Sequence, residues 1–149
     1  MIVRDIACND ISSVSEHMTI RTVIRLMSLS RYYAIPIVNE ENKYITCISI
    51  SDIIDVCVPS YMKSLLNPAF LPDVDKFYEN LATIQNKKVL EYMPKDYPTL
   101  HPGDSLNFAA DLLEKSKRRV IPVVEDGLLL GTMSRLEILS VILSKQCEI

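Results

Sequence analysis

The chain has 149 residues, 48% of them hydrophobic and 23% charged, and 16 basic against 19 acidic side chains leave a net charge of −3. That suits one folded domain, or two small ones sharing a core, and excludes a disordered chain. The acidic balance, with no long run of like charge, disfavours a broad nucleic-acid or anionic-membrane surface. Gly103, Gly127 and Gly131 are the only glycines, too few and too scattered for a P-loop or a dinucleotide fingerprint.

The first residues, Met1-Ile2-Val3-Arg4-Asp5, lack the apolar core of a signal peptide, and no apolar run reaches the roughly 20 residues of a membrane helix. A cytoplasmic chain with reduced thiols and no membrane insertion is expected. A short extended piece at Ser12–Val14 opens the pattern. A helix follows, capped by Thr19, with Ile20, Val23, Ile24, Leu26 and Met27 at helical spacing. The β-branched run Ala34-Ile35-Pro36-Ile37-Val38 predicts a strand, and its proline marks an edge or a strand start. A loose turn over Asn39–Lys43, a strand at Tyr44–Ile48 and a helix beginning at Ser49 complete the unit. Cys47 and Cys57 stand in apolar runs and read as small hydrophobes.

Pro59, Pro68 and Pro72 break the next stretch, residues 58–86, so that it cannot be one long helix. After Pro72, Asp73 can cap a helix carrying Phe77, Leu81 and Ile84 on one face. The aromatics of this linker, Tyr61, Phe70, Phe77 and Tyr78, read as padding where two halves meet, or as a surface for a partner. The unit then recurs: an extended Pro98–Leu100, and a helix capped by Asp104–Ser105 with Leu106, Ala109, Ala110, Leu112 and Leu113. The strand Val120-Ile121-Pro122-Val123-Val124, the turn Glu125-Asp126-Gly127, the strand Leu128–Met133 and a helix from Ser134 follow.

A slide of 86 residues lays Val3–Val38 on Val89–Val124 without a gap. Val3/Val89, Asp10/Asp96, Leu26/Leu112, Ser30/Ser116, Ile35/Ile121, Pro36/Pro122 and Val38/Val124 are then identical. After a one-residue gap in the turn, Cys47–Ile54 lies on Thr132–Leu139. The predicted class is α/β (α+β), with β-α-β-β-α twice. One unit cannot cover both faces of its sheet, so the two should pack face to face about a pseudo-twofold axis. The expected boundaries are 1–57 and 87–149 for the repeats and 58–86 for the linker.

The strand Ile35-Pro36-Ile37-Val38 followed by Ile48-Ser49-Ile50-Ser51-Asp52-Ile53-Ile54 resembles a CBS (cystathionine-β-synthase-type) domain. So does Ile121-Pro122-Val123-Val124-Glu125-Asp126-Gly127 followed by Gly131-Thr132-Met133-Ser134-Arg135-Leu136-Glu137-Ile138-Leu139. Together they resemble a tandem CBS pair, the Bateman module. The resemblance implies a regulatory module with two clefts between the repeats, stacked as a homodimer, and no catalysis. It needs no cofactor; its regulatory ligand would be AMP, ADP, ATP or S-adenosylmethionine, and the protein it regulates is unknown.

By the same resemblance the ligand residues are Ser13, Ser49, Asp52, Thr99, Arg119, Ile121, Ser134 and Glu137. Asp52 would hold ribose, Ser49 would face phosphate, and Arg119 would contact phosphate. A carboxylate can accept both ribose hydroxyls, and charge-assisted hydrogen bonds are the stronger kind. Yet Ser49–Asp52 and Ser134–Glu137 are also capping boxes, which satisfy free N–H groups at a helix start. The longer Glu137 suits a cap better than a ligand contact. Ser13 and Thr99 also read as ordinary strand residues. Tyr33 stands where the second copy has Arg119, which argues against phosphate in that cleft. Thr46 stands where the second copy has Gly131, and should narrow its cleft by a side chain. His17 and His101 read as solvated loop residues. The alternative is a ligand-free interaction module whose clefts are filled by side chains. An enzyme is disfavoured, since no nucleophile motif or metal spacing exists.

Overall fold

The computed structural model describes residues 1–10, 12–59, 76–92, 94 and 96–146. Tyr61, Phe70, Pro68, Pro72, the Asp73 cap and Cys147 lie outside them. Repeat one runs β1 (Val14–Ser15), α1 (Ile20–Ser30), β2 (Ala34–Val38), β3 (Tyr44–Ser49) and α2 (Ile50–Cys57). α3 (Lys76–Ile84) belongs to the linker. Repeat two runs α4 (Leu106–Ser116), β4 (Val120–Glu125), β5 (Leu128–Ser134) and α5 (Arg135–Gln146).

Both first helices start as the sequence predicts. The Thr19 and Ser105 side chains accept from the backbone N–H of Thr22 and Phe108. Both end at a left-handed residue, Arg31 with φ 59° and Lys117 with φ 57°, which turns the chain sharply back towards the sheet. The turn at Asp126 and Gly127 takes positive φ at both residues, the geometry that closes a tight hairpin between β4 and β5.

β2 is central and not an edge: it pairs parallel with β1 and antiparallel with β3. Pro36 is tolerated mid-strand because β1 reaches only Ile37 and Val38, so no donor is needed beside the proline. In repeat two the first strand shrinks to one parallel bridge, Leu100 with Val123. Its Leu100 N–H donates to Pro122 O at 2.9 Å, on the side the proline nitrogen also faces.

Each repeat has its own core. Val14, Ile20, Val23, Ile35, Ile37 and Ile48 fill the first; Leu100, Ala109, Leu113, Ile121, Val123 and Met133 fill the second. The opening segment of each repeat crosses over to the other. Val3 is fully buried in the second core and Val89 in the first. Val3 N–H donates to Asp104 O at 2.8 Å, and Val89 N–H donates to Met18 O at 2.9 Å. These are one contact seen twice, since 3 + 86 = 89 and 18 + 86 = 104. The crossing segments tie the repeats about a pseudo-twofold axis, and a smaller shared core of Ala34, Cys47 and Tyr97 lies between them.

α3 lays Phe77 and Leu81 against the first core and buries Ile84, as the spacing predicts. The Asn80 amide donates to Cys57 O at 2.9 Å and fixes α3 on the end of α2. Tyr78, by contrast, faces solvent.

Candidate functional site: two clefts between the repeats

The pseudo-twofold packing sets the Ser-x-x-acid helix start of each repeat opposite the turn after the first helix of the other. Cleft A, about 380 Å³, is bordered by Ser49, Ile50 and Ser51 from repeat one and by Ser116, Lys117, Arg118 and Arg119 from repeat two. Cleft B, about 200 Å³, is bordered by Ser134 and Glu137 from repeat two and by Arg31, Tyr32 and Tyr33 from repeat one, with Cys8, Asp10 and Ser12 on its wall. Small-molecule sites usually span roughly 300–1,000 Å³, so cleft A falls inside that range and cleft B below it.

In cleft A the capping box forms in full. Asp52 Oδ2 accepts from Ser49 N–H at 2.9 Å and from the Ser49 hydroxyl at 2.8 Å, while Asp52 N–H donates to Ser49 Oγ at 3.2 Å. The other oxygen takes no part in the cap. Arg118 Nη1 donates to Asp52 Oδ1 at 2.9 Å and to Ser49 Oγ at 3.2 Å. This ion pair joins the repeats and is largely sheltered, with side-chain exposures of 22% for Arg118 and 16% for Asp52. Capping and pairing across the repeats therefore fall on different oxygens of one carboxylate.

Arg118 is held from three sides. Its guanidinium lies 4.3 Å from the centroid of the Tyr97 ring. The Tyr97 hydroxyl donates to Val120 O at 2.6 Å. Arg135 donates to Arg118 O at 3.0 Å and to Leu113 O at 2.9 Å, so it pins the turn that carries Arg118. Beneath them, burial pushes the Cys47 thiol up to about 12 and raises the Tyr97 phenol as well. Both are neutral at physiological pH.

In cleft B, Glu137 Oε2 accepts from Ser134 N–H at 2.7 Å and from the Ser134 hydroxyl, so the longer acid also builds a cap. Tyr32 occupies the position of Arg118, since 32 + 86 = 118. Among the described residues no cation pairs with Glu137.

Of the residues named from the sequence, Ser49 and Arg119 border cleft A, Asp52 is paired with its Arg118, and Ser134 and Glu137 border cleft B. Arg119 borders cleft A but stacks on Tyr33, 4.6 Å from its centroid. Ser13 and Thr99 are exposed and border neither cleft. Ile121 is completely buried in the second core, because its place on β4 turns the side chain inward. Arg118, Tyr97 and Ser12 were missed. The basic run Lys117-Arg118-Arg119 was the available signal, but only the left-handed turn at Lys117 decides which arginine meets Asp52.

The expected narrowing by Thr46 is reversed: the cleft on the Gly131 side is the smaller. A Cβ on Gly131 would stand 2.6 Å from Cys8 O. Its absence lets Cys8 and Thr132 exchange backbone hydrogen bonds of 2.9 and 3.0 Å, which brings the wall of cleft B close. Over Thr46 of repeat one, the residue matching Cys8 is Pro94, which has no N–H to give. The Thr46 hydroxyl donates to its carbonyl at 3.1 Å instead.

A third cavity, about 360 Å³ and mostly apolar, lies among α1, α2 and α3 and shares Tyr33 with both clefts. His17 and His101 are exposed, 3.4 Å from Glu16 and 3.5 Å from Glu125 respectively. Among the described residues no group of His, Cys, Asp and Glu could hold a metal ion, and no helix is long and apolar enough to cross a membrane.

The CBS domain family matches twice, at residues 3–58 and 89–144, and the chain belongs to it as a tandem pair. An uncharacterized protein, MJ1426, of Methanocaldococcus jannaschii is 29% identical over 147 residues, covering 91% of this chain and 87% of that one. The A-adding tRNA nucleotidyltransferase of Aquifex aeolicus is 26% identical over 140 residues, but this chain spans only 14% of its length. Among solved structures, CBSX2 in complex with AMP superposes with a TM-score of 0.73 at 18% identity, covering 97% of this chain and 98% of that one. The mixed α/β architecture is thus that of CBS-pair proteins.

Proposed function

We propose that this chain is a regulatory module that binds an adenine nucleotide or related adenosyl ligand between its repeats and passes the change to a partner protein. The supporting observation is cleft A, where Ser49 and Ser51 of repeat one face three basic side chains of the opposite repeat across one cavity, and the Asp52 carboxylate pairs with one of them, Arg118. Asp52 is suited to ribose hydroxyls, and Ser49, Lys117 and Arg118 to phosphate. The AMP complex of a structural neighbour supports the same ligand class. AMP, ADP and ATP suit the basic side of cleft A, of which S-adenosylmethionine, carrying no phosphate, makes the least use. The chain works without catalysis, in the cytoplasm, with 1–57 and 87–149 as repeats and 58–86 as linker.

Titration calorimetry with AMP, ADP, ATP and S-adenosylmethionine tests the reading. Asp52→Ala should weaken binding by roughly 1–3 kcal/mol, the effect of leaving a sheltered polar partner unpaired. Unchanged affinity would remove Asp52 from the site. The rival reading, a ligand-free interaction module, draws on the Arg118–Asp52 pair already closing cleft A and on the small cleft B. Absence of any melting shift with all four ligands would favour it, because a bound ligand must stabilise the folded state.

We read the partner surface as α5, and its first occupant as a second copy. α3 covers the end of α2, where Cys57 is buried. The matching Ile142 is exposed together with Leu136, Leu139 and Leu143, and among the described residues nothing covers them. A dimer by sedimentation, lost in Leu139→Glu, is the expected result.

A further inference from the structure

Resting on the reading that Asp52 takes the ribose, we propose that Arg118 makes cleft A selective for phosphate-bearing nucleosides by exchanging Asp52 for phosphate. A carboxylate offers about four lone-pair sites. Asp52 has given two on Oδ2 to the Ser49 N–H and hydroxyl, and a third on Oδ1 to Arg118. One remains, and a ribose diol needs two. The Ser49 bonds belong to the helix cap, so the Arg118 bond is the one to yield.

A nucleoside without phosphate that displaces Arg118 leaves a guanidinium of 22% exposure with no anion. A nucleotide supplies the anion itself, and Lys117 borders the same cavity. Arg118 and Arg119 each stack on a tyrosine ring, Tyr97 and Tyr33, but only Arg118 also holds the Asp52 carboxylate, so it is the arginine that changes partner. Cleft B has Tyr32 in place of Arg118 and no such exchange.

The exchange makes a prediction for the unmodified protein. Inorganic phosphate on Arg118 frees Asp52, so phosphate and adenosine should bind with positive coupling, each tightening the other by the same factor, at least about fivefold. Calorimetry of adenosine with and without phosphate, at ionic strength matched with chloride, reads this directly. Arg118→Gln should abolish the coupling, tighten adenosine, weaken AMP and lower the AMP-to-adenosine affinity ratio by about tenfold or more. Arg118→Lys should keep most of the ratio. Phosphate that competes with adenosine or leaves it unchanged overturns the exchange, as does an Arg118→Gln variant that shifts both ligands equally. Heat from neither AMP nor adenosine, in wild type or variant, would instead refute the nucleoside reading and the exchange with it.

Discussion

Tyr33 and Arg119 are the same position of the two repeats, and in the folded chain the guanidinium of one lies 4.6 Å from the ring centroid of the other. Residues related by a twofold operation meet at its axis. An unmodified duplication would have placed like against like there, two rings or two cations. Divergence at one position turned the contact into a cation–π pair.

The pair is half-exposed at Tyr33, so its contribution is about 0.5–1 kcal/mol. Tyr33→Arg, which restores two like charges, should lower the melting temperature by about 2–4 °C, whereas Tyr33→Phe should leave it nearly unchanged. A thermal melt of both variants is sufficient.

Gly131→Ala brings a methyl to 2.6 Å from a backbone oxygen that has no flexible side chain to move aside. The Cys8–Thr132 pairing must open. A loss of about 1–3 kcal/mol in urea unfolding is expected, with faster amide exchange at Cys8 and Thr132.

Val3 and Val89 are each buried in the repeat they do not belong to by sequence. Val3→Ala should cost about 2 kcal/mol and raise local exchange in β4, where Ile121 and Val123 pack on it. Val89→Ala should do the same to β2. Hydrogen exchange that loosens β2 in Val3→Ala would contradict the crossover.

Burial raises the Cys47 thiol from its ordinary 9.0 to about 12, and raises Tyr97 in the same direction. The folded state therefore favours both neutral forms. Their stability is fully present below pH 9 and is lost as the pH climbs through the range between the unfolded and folded values. The urea midpoint should fall from pH 9 towards pH 11, and the fall should be shallower in Cys47→Ala.

Much of this was legible in the chain itself. Hydrophobic spacing placed α1 and α4, Thr19 and Ser105 marked their starts, and Phe77, Leu81 and Ile84 predicted the inner face of α3. The two Ser-x-x-acid steps marked the helix starts whose serines border the clefts. Pro36 misled, because a strand proline is tolerated wherever the neighbouring strand stops short, and strand lengths are set by packing. Thr46 misled for a related reason: what matters at Gly131 is which backbone passes over it.

A duplicated pattern determined the fold and its pseudo-symmetry, since periodicity and caps act over a few residues and leave their record in the sequence. The choice of Arg118 over Arg119 as partner for Asp52, the crossing of Val3 and Val89, and the unequal clefts were decided only in three dimensions. Each depends on how two distant segments approach, and hydrogen bonds, ion pairs and close contacts are decided by displacements of an ångström or less.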